Sequence, residues 1–224
     1  MTKKLSEKEI ESKAAEVWRQ FCIRFGADAN YPVPADRIAL DLFDADVDWA
    51  SLGDGVGDST VLGKLRAPSF GKRAEILLNL DLINTLFEQS KSLFNTVVAH
   101  ELGHLVFHVP SGNQLQLGLD LGVQSEFEVR YSQIEILMGN TIDHSDQWWR
   151  EWQANTFARH LLIPSEHLSR IVGRSHHVTW PTIYKLSSDF CVTPSMMRVQ
   201  LIKIGARVPG TADLKPTSNL KLRF

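Results

Sequence analysis

The sequence predicts an α+β fold: a small, mostly antiparallel sheet packed on helices, followed by a helix-turn-helix-like helical segment. Three observations carry this. Residues 6–25 repeat apolar side chains at helical spacing. Residues 59–66 and 74–80 have the length and apolar content of strands. Leu115, Leu117, Leu119, Leu121, Val123, Phe127, Val129 and Tyr131 all fall on odd positions, the alternation of a half-buried strand.

In the first helix Ile10, Ala14, Val17, Trp18, Phe21 and Phe25 repeat at helical spacing, and Gly26 ends it. A second starts at Pro34 and carries Ile38, Leu40 and Leu42 to Phe43. Residues 44–58 are rich in Asp and Gly and form a loop around a short strand at Val47–Trp49. The strand at 74–80 also has the character to pair with an extended peptide. Residues 91–108 form a helix. Residues 110–147 form a β-hairpin or extended flap with a turn near Gly122–Ser125, although Glu126–Met138 also contains helix formers. Residues 146–163 form a helix that Ile163-Pro164 terminates. A short helix follows at 165–173. Two more lie within 180–205, around Cys191-Val192-Thr193-Pro194, with Met197, Leu201 and Ile204 on one face. Residues 208–224, with Pro209, Gly210 and Pro216, trail as a loop or loosely docked tail.

The bulk numbers exclude several classes. A chain of 224 residues with 43% hydrophobic and 22% charged residues is an ordinary globular composition. A net charge of −2 gives no global attraction to nucleic acid or anionic membrane. Cys22 and Cys191 lie far apart and outside any C-x-x-C motif, so they are expected as buried, unpaired small residues. The charged stretch Met1–Lys13 lacks a signal-peptide core, and no run approaches the roughly 18 apolar residues of a membrane span. The expected location is the cytosol.

Chemistry concentrates in two segments. His100-Glu101-Leu102-Gly103-His104 reads H-E-x-x-H. Residues four apart on a helix share a face, so His100 and His104 can reach one cation. Glu101 lies about 100° round the helix, beside the metal rather than on it, where it can take a proton from an activated water. Glu151 opens the later helix and supplies the missing third ligand. Asn155, one turn on, resembles an outer partner that orients a ligating histidine. Gly103 costs about 1 kcal/mol within a helix relative to alanine, and close approach of the two helices would justify it. Zinc suits two imidazoles and a carboxylate with an open position, and manganese takes similar ligands.

Other polar residues are expected elsewhere. His108 continues the four-residue series but has rotated about 80° from His100, so it is expected to serve the helix C-terminus. His160 is half a turn from Glu151 and faces away from the metal. His144, His167, His176 and His177 are expected in solvent. Tyr131, His144 and Tyr184 are alternative groups for polarising a substrate carbonyl. Trp148, Trp149 and Trp152 read as packing, with a cleft wall as the alternative. Arg198, Lys203 and Arg207 are too few for a basic recognition face, so the 180–205 helices read as a packed structural element. Salt-dependent DNA binding by those helices is the competing reading.

H-E-L-G-H followed by E-W-Q-A-N-x-F-A and L-L-I-P resembles the ImmA/IrrE family of zinc metallopeptidases, over about residues 10–205. The resemblance implies a zincin-like metallopeptidase domain over 1–175, a helix-turn-helix-like segment packed on it over 176–207, and a tail over 208–224. It implies Zn2+ bound by His100, His104 and Glu151, with Glu101 as catalytic base. It also implies a helix-turn-helix repressor or antitoxin-like protein as the cytosolic substrate. The connection between His104 and Glu151 is longer than the family's, so 110–147 reads as an insertion. The alternative is a non-cleaving protein that sequesters a repressor, its metal structural.

Overall fold

The helical period over residues 6–25 becomes α1 (Glu7–Phe25) in the computed structural model. Ser6 and Glu9 close a capping box at its start: the Glu9 amide donates to Ser6 Oγ, and the Ser6 amide donates to Glu9 Oε2. Gly26, in the left-handed region, ends it. The structure describes residues 3–26, 31–52, 61–67, 73–80, 90–109, 126–130, 145–173 and 177–210, with the backbone alone for 126–130 and residue 90. The further elements are α2 (Ala35–Phe43), β1 (Ala45–Ala50), β2 (Val61–Arg66), β3 (Ala74–Asn79), α3 (Ser90–His108), β4 (Glu126–Arg130), α4 (Asp146–Leu162), α5 (Ser165–Val172), α6 (Trp180–Phe190) and α7 (Pro194–Lys203).

The class is α+β. Its four strands lie in the order β1-β3-β2-β4. β2 pairs antiparallel with both β3 and β4, and β1 pairs parallel with β3, so the sheet is mixed, with two of its three pairings antiparallel. The cause is direction. β1 runs opposite to β2, as β3 does, and it takes the free side of β3. This placement overturns one expectation. With neighbours on both sides, β3 has no edge left to pair with a peptide. Of the 110–147 connection, 126–130 forms β4, placing Phe127 opposite Leu65 and Val129 opposite Gly63. The rest of the expected hairpin lies outside the described residues, as do 211–224 of the tail.

α3 lies between the sheet and α4, and every residue from Asn95 to His104 is buried. A helix buried on all sides needs apolar or satisfied polar groups all round. Asn95 meets this with two backbone partners. Its Oδ1 accepts from the Ala35 amide at 3.1 Å and its Nδ2 donates to the Cys191 carbonyl at 3.1 Å. The hydrophobic core is continuous from α1 through Leu102, Phe157 and Leu161 to Phe190, Met197 and Leu201, so α6 and α7 share it. Cys22 and Cys191 are free, and both are half-buried rather than fully buried.

The far side of α4 is tied down by charge. Glu7 at the start of α1 pairs with Arg159, lies 3.5 Å from His160 Nε2, and accepts from Lys203 Nζ at 2.8 Å. His160 thus faces away from the metal-ligand candidates, as expected, and is buried in an ion-paired network. Burial works against the Glu7 charge, but His160, Arg159 and Lys203 outweigh it and hold its pKa down at about 2. A carboxyl whose folded pKa is depressed stabilises the fold above its unfolded value of 4.5, and that contribution is lost as pH falls toward about 2. Denaturant melts at pH 7 and pH 3 should show wild type losing more stability on acidification than Glu7→Gln. Equal losses would count against the pairing.

Candidate metal centre

The site forms where α3 and α4 touch. Gly103 is the contact point: a Cβ there would stand 2.7 Å from Ala154 Cα and 2.9 Å from its carbonyl oxygen. Only a residue without a side chain lets the helices come this close. The approach brings α3's histidines within reach of Glu151 in the second turn of α4. His100 and His104 are fully buried and Glu151 is 7% exposed. The two Nε2 atoms are 3.0 Å apart. Glu151 Oε2 lies 3.3 Å from His100 Nε2, and Oε1 lies 3.5 Å from His104 Nε2. Among the described residues, these three form the one group of His, Cys, Asp and Glu side chains whose donor atoms converge for a metal ion.

The outer contacts orient these groups. His100 Nδ1 lies 3.0 Å from Asn155 Oδ1, and Asn155 Nδ2 donates to the Glu151 carbonyl at 3.0 Å. His104 Nδ1 lies 3.1 Å from His108 Nδ1. His108 Nε2 lies 3.3 Å from Gln153 Oε1. His108 is therefore outside the donor group, as expected, but it serves a neighbouring histidine rather than the helix end. Glu101 is fully buried and also outside the donor group. Its carboxylate faces β2, where a Cβ on Gly63 would stand 3.5 Å from Glu101 Oε1.

The two histidines respond differently to one carboxylate. Burial disfavours the imidazolium at both. At His100 the carboxylates of Glu151 and Glu101, with Asn155, overcome it and raise the pKa. At His104 burial wins, because Glu151's help is opposed by His100 and Arg150, and the pKa falls. Burial, with His104 nearby, pushes His108 down to about 3, so it is neutral. Burial also opposes the Glu151 charge, but the two imidazoles hold its pKa well below the usual carboxylate range.

The remaining candidates separate cleanly. His167 is half-buried: it packs against Tyr31 at 4.2 Å and Phe190 at 5.7 Å and keeps part of its surface in solvent. His177 is exposed, as expected. Tyr184 is 56% exposed and stacks on Trp180. Tyr131, His144 and His176 lie outside the described residues. Trp148, Trp149 and Trp152 pack on one another with centroids 5.0 to 6.3 Å apart. Arg198 donates to the Pro209 carbonyl and Lys203 pairs with Glu7, so both point to partners within the chain. Among the described residues, no helix is long and apolar enough to cross a membrane. No model of a known protein family matches this chain, and no curated protein matches it.

Gly103→Ala separates two effects by sign. Helix propensity alone would stabilise the protein by about 1 kcal/mol. The clash is with backbone, which no rotamer change relieves, and overpacking of this kind costs about 1–3 kcal/mol. Net destabilisation in urea melts, with weakened metal binding, is the expected result. A more stable variant that binds metal normally would show that the helices are not in forced contact.

Proposed function

We propose that this protein is a zinc-dependent endopeptidase with a zincin-like fold, related to the ImmA/IrrE metallopeptidases, whose substrate is a cytosolic repressor or antitoxin-like protein. The observation that carries the reading is the convergence of His100, His104 and Glu151 with Glu101 buried beside them. Zinc ligands at about 2.0–2.1 Å in a tetrahedral array stand roughly 3.3 Å apart. The donor separations of 3.0, 3.3 and 3.5 Å fit that spacing. Two imidazoles and one carboxylate also leave one position open, as catalytic rather than structural zinc sites do.

Bound zinc supplies Lewis acidity, which acidifies water and polarises a carbonyl. The residues of the chain do the rest. Glu101, one position from His100, accepts the proton of the attacking water and returns it to the departing amine nitrogen as the peptide bond breaks. Asn155 holds His100 by its Nδ1, leaving Nε2 for the ion. The dry surroundings of Glu101 strengthen each electrostatic contact during proton transfer. A structural metal alone gives no reason to bury a carboxylate next to the ligand pair. The kind of substrate rests on the family resemblance, and direct nucleic-acid binding is not part of the proposal.

Glu101→Gln keeps the shape of the side chain and removes the base. The variant should retain zinc and cleave a neighbouring-gene repressor about 10²–10⁴-fold more slowly, read as discrete fragments by mass spectrometry. Cleavage at the wild-type rate would contradict the mechanism. A wild-type protein that binds the repressor and leaves it uncut would favour sequestration.

A further inference from the structure

A line of hydrogen bonds runs from the metal group to the N-terminal backbone, and its direction can be worked out from the far end. Gln153 Nε2 donates to the Lys3 carbonyl at 2.8 Å. A carbonyl can only accept, so the amide of Gln153 cannot be turned round. Its Oε1 is therefore the atom facing His108 Nε2, at 3.3 Å. Two acceptors cannot face each other, so His108 carries its proton on Nε2. A neutral imidazole has one such proton, so His108 Nδ1 is bare and accepts from His104 Nδ1, 3.1 Å away. His104 then holds its own proton on Nδ1. Its Nε2, 3.0 Å from His100 Nε2 and 3.5 Å from Glu151, then carries no proton and presents its lone pair. The reverse direction fails at Gln153, where either His108 or the Lys3 carbonyl would face the wrong end of the amide.

We propose that the Lys3 carbonyl, acting through Gln153 and His108, locks His104 in the tautomer that presents Nε2 to the metal. His108 and Gln153 are positioning residues that reach the ion only through His104. The inference rests on the zinc reading above. Gln153 is 1% exposed, so water has little access to supply an alternative partner. His100 has the same arrangement in a shorter form, with Asn155 as the amide and the Glu151 carbonyl as its anchor. A carboxamide that a backbone carbonyl holds one way round thus orients His100 directly and His104 through His108.

The test is zinc affinity, measured by competition with a chromophoric chelator, for wild type, His108→Leu, His108→Gln and Gln153→Leu. Loss of an outer partner of this kind weakens metal binding by about ten- to a hundred-fold, and both leucine variants should show it. Glutamine at 108 can accept from His104 and donate to Gln153, so it should restore most of the loss. A purely space-filling role would not be rescued this way. Should the leucine variants fail to fold, long-range proton–nitrogen NMR of the zinc-loaded wild type reads the same proton positions. His108 protonated on Nε2 alone supports the relay, and a proton on its Nδ1 overturns it. Zinc affinity unchanged in folded leucine variants overturns this inference alone. Wild-type protein that takes up no zinc overturns the zinc reading and this inference with it.

Discussion

The contact between Gly103 and Ala154 governs the rest of the molecule. Two helices that meet through a glycine can bring their side chains into one small volume, whereas a single methyl group there would meet backbone at 2.7 Å. His100 and His104 flank this point on α3, and Glu151 and Asn155 flank it on α4. The sheet supports the opposite side of α3, where Gly63 makes a second close approach next to Val97 and Glu101. The core that surrounds these contacts, from Ile10 and Phe157 to Phe190, gives α3 the burial it needs on every side.

Such burial has an electrostatic consequence. Two imidazoles and two carboxylates sit in a region where uncompensated charge is costly. The chain meets that cost by mutual contact: Glu151 lies against both histidines, and Asn155 and His108 occupy their outer nitrogens. The same cluster that would be a liability in an empty core is a set of donors aimed at one point. On the other side of α4, Glu7, Arg159, His160 and Lys203 form a separate charged group that joins α1, α4 and α7. That group joins the start of α1 to α4, and four residues earlier the Lys3 carbonyl accepts from Gln153 Nε2.

Much of this could be read from local spacing. The four-residue interval of His100 and His104, the start of a helix before Glu151, and the same-face position of Asn155 all depend on helical period alone. So does the placing of His160 half a turn away. Gly103 was legible because an interior helical glycine asks for a packing reason. What escaped depends on residues far apart in the chain. His108 looked like a helix-end residue because its partner Gln153 lies 45 positions on and is not on the Asn155 face. Asn95 carried no signal, since its partners are backbone groups of α2 and of the turn after α6. Strand period cannot tell an edge from a centre, and it is the pairing with β1 that leaves β3 no free side for a peptide. The aromatic contacts of His167 carry no local signal either, since Tyr31 and Phe190 come from distant segments.

Zinc K-edge X-ray absorption of the purified, zinc-loaded protein tests the central claim most directly. One ion per chain with nitrogen and oxygen neighbours at about 2.0–2.2 Å, two of them imidazoles, is the predicted result. The imidazole scattering should diminish in His104→Ala, and the oxygen shell should change in Glu151→Gln. A spectrum that contains no imidazole, or one that is the same in all three proteins, would contradict the assignment of His100, His104 and Glu151 as the metal centre.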